Sequence, residues 1–390
     1  MGHLRLPAGA PPRGGVERPR RGDPIAGSAA RGRARTGMVA SQTVNAPRGP
    51  PGVPPPARRE YGARRTMPQR VLLVSHPDCQ AHDPGPGHPE RQARLEAALE
   101  ALAADPALGP EVLERVEAAR ATEQALLRVH TPGHLARVRG HVEAAARTGM
   151  LDWLEPETPV SAGSWRAAVA AAGAAIEAAE RVARGEARAA FALVRPPGHH
   201  AWADRAGGYC LLNNVAIAAR AVQAAGLARR VLVVDWDVHH CDGTQSIFWE
   251  DSAVYVLSVH LWPHYPHTGA PEERGAGAGE GTTRNVAVPH GTRAPEQRRL
   301  FEDGLAAALA EFRPDLVLLS AGFDPLEGDP EGGLHLEPSD LHAMTRTLVE
   351  RCAAADCDRI AAVLEGGYVP PRLGEGVVQV VRALAGLPAA

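Results

Sequence analysis

The stretch Val231-Leu232-Val233-Val234-Asp235-Trp236-Asp237-Val238-His239-His240 changes character halfway along. Its first four residues are apolar without alternation, which is how a strand covered on both faces reads, and parallel sheets are the ones buried on both faces. Its second half is carboxylate and imidazole. A buried strand that opens into such chemistry at its carboxyl end points to an open α/β sheet, whose sites gather along that rim.

The same change repeats. Run 190–194 leads into Arg195-Pro-Pro-Gly-His199-His200, run 315–320 into Gly322-Phe-Asp324-Pro, and run 359–364 into Glu365-Gly-Gly-Tyr368. Further strand-like runs cover 71–74, 253–259 and 285–288. Between them, Ala-rich helical stretches lie near 90–103, 122–147, 164–184, 213–225, 295–311, 338–354 and 373–385. Ser161 or Ser164 is placed to cap the helix at 164–184, and Pro338-Ser339-Asp340 opens the one at 338–354. The alternation predicts a single α/β domain over 67–390, built on a mostly parallel multi-stranded sheet covered by helices on both faces. Gly85-Pro-Gly87 and Gly275–Gly281 lack the strand and helix context of a phosphate loop and read as turns.

The chain has 390 residues and a net charge of −3, with 44% hydrophobic content. No apolar run approaches the ~20 residues a membrane-spanning helix needs. The near-neutral total argues against a chain-wide polybasic nucleic-acid binder. All 42 basic residues are Arg, which with the Ala, Gly and Pro excess suggests a GC-rich coding genome. Five scattered Cys without a CxxC pair point to a reducing, cytoplasmic setting rather than a disulfide framework. Residues 1–66 differ from the rest, with 13 Arg against Glu17, Asp23 and Glu60, and with Pro and Gly throughout. Without apolar periodicity they cannot offset the entropy of ordering. A disordered basic tail, an Arg-rich targeting peptide and an over-extended reading frame are the competing readings. The last, with a start at Met67 just before the first strand, is favoured.

Asp235, Asp237 and His239 alternate, so in an extended segment all three side chains point to one side. Two carboxylates and an imidazole aimed together call for a cation. With one more carboxylate they make a mixed nitrogen and oxygen site suited to zinc in a hydrolase. The bland alternative is a strand-end cap among ordinary loop histidines, and the clustering of His and Asp at one rim argues against it. Gly366-Gly367 gives the backbone freedom to aim the Tyr368 phenol inward.

From about 70 to 388 the chain resembles the zinc-dependent histone deacetylase superfamily, in particular its bacterial class II branch with the acetylpolyamine amidohydrolases and acetoin-utilisation-type proteins. The blocks that carry the resemblance are His76-Pro-Asp-Cys79, His82-Asp-Pro-Gly-Pro-Gly-His88-Pro-Glu-Arg91, Arg195-Pro-Pro-Gly-His-His200, Asn213-Asn214, Asp235-Trp-Asp-Val-His-His240, Asp324 and Glu365-Gly-Gly-Tyr368. It implies the arginase/deacetylase-like fold and one catalytic zinc held by Asp237, His239 and Asp324. His199 and His200 would be the tandem pair beside the attacking water, with His200 as general base and then acid. Asp235 and Asp242 would hydrogen-bond His199 and His200 respectively, and Tyr368 would donate to the substrate carbonyl.

Gly208, Tyr209 and Tyr265 match the walls of the family's acyl-lysine tunnel, with Tyr209 and Tyr265 facing each other. Asp235, Asp237, His239 and Ser258 match a structural potassium site, and Phe248, Asp251 and Val254 a second. Departures are Cys241 where Gly is usual, Tyr209 where Phe is usual, and Val369 where Asn commonly follows the Tyr. Glu331 stands where most lysine deacetylases carry an apolar residue and a polyamine-selective branch carries Glu. The other reading of Glu331 is a solvated turn residue in Asp329–Gly333. The resemblance implies an enzyme releasing acetate from acetylpolyamines or from acetyl-lysine in proteins, with no nucleic-acid or membrane partner. The alternative is a catalytically weak acyl-ligand or partner-binding protein on the same fold. Helical surfaces leave room for a homo-oligomer.

Overall fold

A computed structural model describes residues 69–390, and the Arg-rich stretch 1–66 and Met67 lie outside the described residues. The strands are β1 (Val71–Ser75), β2 (Leu113–Glu117), β3 (Asp152–Glu155), β4 (Thr158–Val160), β5 (Ala189–Ala192), β6 (Val231–Asp235), β7 (Val254–Leu261), β8 (Thr283–Val288), β9 (Leu316–Ala321) and β10 (Ile360–Leu364). The helices are α1 (Ala93–Ala104), α2 (Glu123–Leu126), α3 (Pro132–Thr148), α4 (Ser164–Arg184), α5 (Asn214–Ala224), α6 (Asp242–Phe248), α7 (Ala294–Glu311), α8 (Pro338–Ala354) and α9 (Pro370–Leu384).

Eight strands form one sheet in the order β2-β1-β5-β10-β9-β6-β7-β8, and every pairing in it is parallel. Strands β5, β6, β7, β9 and β10 are buried at every residue. That matches their mainly apolar character, with Asp235, Ser258, His260 and Ser320 as buried polar exceptions, because helices cover both faces. On one side α4 packs on α5. On the other, α1, α9, α8 and α7 pack in a row. The four strands whose ends carry the polar clusters, β5, β10, β9 and β6, are consecutive neighbours. With strands about 4.8 Å apart, the clusters share a rim roughly 14 Å long.

Several elements differ from the sequence reading. The helix expected over 122–147 is two, because Thr131 caps a new start, accepting from His134 N–H, with Pro132 at its first position. The cap of α4 is Gly163, not Ser161 or Ser164. The Ser164 hydroxyl instead accepts from Ser161 N–H at 2.8 Å and bonds His82 Nδ1 at 2.7 Å. The opening of α8 does use Asp340, which accepts from Glu337 N–H at 2.9 Å. Strand β2 escaped notice because it is an edge strand reading Leu-Glu-Arg-Val-Glu, half exposed. The antiparallel hairpin β3–β4 and the helix α6 are also additions.

Candidate active site

The turn after β6 is not extended. Asp235 Oδ1 accepts from Asp237 N–H at 3.0 Å, and Asp237 Oδ1 accepts from His239 N–H at 3.0 Å. These Asx-type bonds curl the segment, so the three side chains do not share one side. Asp237 and His239 converge with Asp324 from the β9 loop, while Asp235 turns to His199, 3.1 Å from its Nδ1.

Asp237, His239 and Asp324 are buried, each with one ligand atom within 4.8 Å of the others. Nδ1 of His239 lies 3.0 Å from Asp237 Oδ1 and 3.4 Å from Asp324 Oδ2. Donors around one tetrahedral zinc at ~2.0–2.2 Å sit roughly 3.4 Å apart, so the spacing fits. Asp324 Oδ1 accepts from Val238 N–H at 2.9 Å, but its Oδ2 is buried with no well-formed hydrogen bond. Burial and the Asp237 charge push the Asp324 carboxyl up to about 7. Burial alone would lower His239, yet its hydrogen bond to Asp237 and the nearby Asp324 carboxylate raise it to about 10. Burial would also raise Asp237, but His199 and His239 hold it well below the usual carboxylate range. The raised Asp324 and His239 mark a place where positive charge is wanted. The backbone is shaped around these carboxylates: a Cβ on Gly366 would lie 2.0 Å from Asp324 Oδ2. Gly366 N–H donates to Asp237 Oδ2 at 2.8 Å.

Beside this triad, His200 Nδ1 bonds Asp242 Oδ1 at 2.6 Å, and the Trp202 indole donates to Asp242 Oδ2 at 2.6 Å. The rings of His199 and His200 are 4.1 Å apart, and His200 sits edge-on to His239 at 5.7 Å. Burial and the neighbouring His199 lower His200 to about 4, so it is neutral at pH 7. For His199 burial is outweighed by the charges of Asp237 and Asp235, which raise it well above 6.5. His199, Cys210 and Glu365 also bring ligand-type atoms together. Each of them has hydrogen-bond partners: Glu365 accepts from the backbone N–H groups of Gly198 and His199, the His199 ring bonds Asp235, and the Cys210 thiol donates to the Gly208 carbonyl. That group is a hydrogen-bonded anchor of the histidine loop.

The four strand ends thus bring a buried Asp-His-Asp triad, a carboxylate-backed His pair and a Tyr to one rim, in a fold covered above. The sequence model of the histone deacetylase domain matches residues 88–384. The chain belongs to the histone deacetylase family. It is 37% identical over 316 residues to a probable deacetylase of Archaeoglobus fulgidus, covering 80% of this chain and 86% of that one. It is 37% identical over 324 residues to histone deacetylase 15 of Arabidopsis thaliana, covering 82% of this chain and 56% of that one. Against the polyamine deacetylase HDAC10 of Homo sapiens it is 37% identical over 332 residues, 82% of this chain and 46% of that one. The chain spans about half the length of these plant and human relatives. The crystal structure of the HDA15 HD domain superposes with a TM-score of 0.74 at 34% identity, covering 83% of this chain and 90% of that one.

Within this fold aromatic rings flank the triad and the His pair on both sides. Tyr209 stands edge-on to Tyr368 at 5.6 Å and to His88 at 4.7 Å. Tyr265 stands edge-on to His200 at 5.3 Å and His239 at 5.9 Å. Burial raises the Tyr209 phenol, and the Glu331 carboxylate, itself half-buried, adds to that. His264 is stacked on His239 with ring centres 5.1 Å apart and bonds the Glu331 carbonyl at 3.2 Å. Glu157, in the β3–β4 turn, accepts from Gly208 N–H at 3.1 Å and from the Tyr265 hydroxyl at 3.4 Å. No motif had marked it, because it is one acidic residue in Glu155-Pro-Glu157 of a hairpin the apolar pattern does not show.

Ser258 lies opposite Asp235 in the sheet and bonds His260 Nδ1 at 2.9 Å. Asp251 is paired with Arg220 at 2.5 Å, and that guanidinium lies 4.8 Å over the Phe248 ring. The Phe248 carbonyl accepts from Asp251 N–H at 3.0 Å, and Val254 begins β7. Cys241 is fully buried at the start of α6, and burial pushes its thiol well above 9.

Proposed function

We propose that the protein is a zinc-dependent deacetylase that hydrolyses N-acetylated amines to acetate and free amine, with cationic acetylpolyamines preferred over acetyl-lysine in proteins. The observation that carries the metal reading is the orphaned, fully buried Asp324 Oδ2 facing His239 and Asp237. Asp237, His239 and Asp324 would hold the zinc. Zinc bound there would polarise the acetyl carbonyl and bring the pKa of the attacking water toward ~7.

The protein's own groups do the rest. With Nδ1–H committed to Asp242, His200 leaves Nε2 free as acceptor, and it is neutral at pH 7 and ready to take a proton from the water. The same nitrogen then delivers a proton to the leaving nitrogen, because an amide anion leaves poorly. Tyr368 keeps its proton, since burial raises it well above 10, and its hydroxyl donates to the carbonyl oxygen as negative charge grows there. His199, anchored by Asp235, keeps the tandem pair aligned. Asp235, Asp237, His239 and Ser258 would hold a structural potassium, and Phe248, Asp251 and Val254 would frame a second.

The polyamine preference rests on two carboxylates at the mouth, Glu331 beside Tyr209 and Glu157 beside Tyr265. Both would attract ammonium groups along a polyamine chain. The test is acetate release by the zinc-loaded protein from acetylspermidine, acetylputrescine, acetylcadaverine and acetyl-lysine peptides. Faster turnover of the polyamines is expected. Preference for peptides would make Glu331 a bystander. Silence on every substrate with zinc bound would replace the enzyme by an acyl-ligand-binding protein.

A further inference from the structure

Three fully buried charges lie behind the site and take no part in the chemistry above: Glu90, Arg94 and Arg195, each 0% exposed. Arg195 opens the loop that carries His199 and His200. It grips Glu90 with both ends of its fork, Nε to Oε1 at 2.6 Å and Nη2 to Oε2 at 2.7 Å. Its Nη1 donates to the carbonyls of Cys79 at 3.2 Å and His82 at 3.1 Å. Arg94, on α1, donates from Nη1 to the same Glu90 Oε1 at 3.1 Å. Its remaining donors reach the turn that carries Tyr368: Nε to the Gly367 carbonyl at 2.6 Å, and Nη2 to the Glu365 carbonyl. The guanidinium carbon lies 4.9 Å from the centre of the Tyr368 ring. The circuit closes on the far side. The Glu365 carboxylate accepts from Gly198 N–H at 2.6 Å and His199 N–H at 3.1 Å, back in the histidine loop.

We propose that Glu90 is a positioning residue for the deacetylation step: it joins the Arg195 end of the histidine loop to the Arg94 support of the Tyr368 turn, and so sets where the phenol stands relative to His200. The inference rests on the reading of Tyr368 as the carbonyl donor. Two guanidinium groups buried around one carboxylate tolerate no loss of it, since each would be left an uncompensated charge. Bidentate Arg–carboxylate pairs also fix direction as well as distance. Burial would raise Glu90, but the charges of Arg195, His82 and Arg94 outweigh it and hold the carboxyl down at about 2, so the anion is present throughout the working range. Arg94 has no other side-chain acceptor among the described residues, so relaxing Glu90 frees the clamp on Gly367.

A carboxylate that merely staples the fold would have the same contacts, and the test separates the two. Glu90→Gln keeps the volume and removes the charge. It is compared with wild type, Tyr368→Phe and the double variant, all zinc-loaded, by steady-state kinetics on the best acetylated substrate and by thermal melting. A displacement of about 1 Å at a reacting group costs up to ~10²-fold. Glu90→Gln should therefore lower kcat by about 10- to 100-fold with KM within about twofold. In the Tyr368→Phe background it should lower kcat by no more than about twofold, since the group it positions is gone. An equal loss in both backgrounds, or a loss confined to KM, would overturn the proposal, as would unchanged kcat. If Glu90→Gln does not fold, Arg94→Lys enters the same cycle. It keeps a positive charge beside Glu90 but loses the fork to Gly367, and the same outcomes decide. Failure of the underlying reading is seen separately, as full activity of Tyr368→Phe alone.

Discussion

Tyr368 shows how much one atom can be asked to do. Its ring is bracketed by the Arg94 guanidinium at 4.9 Å and by Tyr209 at 5.6 Å, contacts that a phenylalanine ring would keep. Tyr368→Phe therefore removes the hydroxyl and little else. Loss of one oxyanion donor typically costs ~10²–10³ in kcat, and that loss is expected with zinc content and KM nearly unchanged, as measured by metal analysis and steady-state kinetics. Undiminished turnover would take the phenol out of the reaction. At this scale the sequence was legible where chemistry-bearing side chains interrupt apolar strands, as in Asp237, His239, Asp324 and Tyr368. It misled where alternation was taken for direction. Asp235 sits two residues before Asp237, yet a hydrogen-bonded curl sends it to His199, the partner that the family resemblance implies and alternation does not. Glu90 and Glu365 were silent as actors because their partners, Arg195 and Gly198, lie 105 and 167 residues away.

Elements were legible in proportion to their burial. The buried strands β5, β6, β7, β9 and β10 leave mainly apolar runs, and the Ala-rich α4 came through with its bounds intact. The edge strand β2 and strand β3 did not, since half-exposed strands mix charge with apolar residues, and the buried β4 is only three residues long with a central Pro. The β3–β4 hairpin bridges two loops at the rim. Glu157 at its turn receives the Gly208 N–H and the Tyr265 hydroxyl, so the hairpin ties together the two segments that would flank an acetylated substrate. Hydrogen bonds to a charged acceptor contribute about 1.5–3 kcal/mol each, and Glu157→Ala loses two together with one negative charge. KM for acetylpolyamines should rise about tenfold or more, with a smaller effect on an uncharged acetylated amine and little on kcat. Equal changes for charged and uncharged substrates would show that the hairpin shapes the mouth without reading charge.

The molecule as a whole buries several ionisable groups in the form they must leave on acidification. Burial lowers His82 to about 4 and both His130 and His260 to about 3. An unfolded histidine takes its proton near ~6.5. Between ~6.5 and those values the unfolded chain binds more protons than the folded one, so stability falls as pH falls, by up to about 1.4 kcal/mol per pH unit for each histidine. Glu90 acts in the same direction lower down. Its stabilising contribution is full above ~4.5, its unfolded value, and is lost as pH drops toward about 2. His239 has the opposite sign, its raised pKa favouring the fold while protonated, and zinc bound in the triad would take that proton's place. His130 isolates the effect. It is placed between the Trp202 carbonyl at 3.0 Å and Asn213 N–H at 2.9 Å, one bond donated and one accepted, as a neutral ring requires. His130→Gln offers a donor and an acceptor without a titration. In denaturant unfolding of zinc-loaded protein at pH 7, 6 and 5, wild type should lose stability at every step, and the variant should lose about 1 kcal/mol less between pH 6 and 5. Identical slopes would mean that His130 is as free to take a proton in the fold as out of it, and that acid sensitivity arises elsewhere.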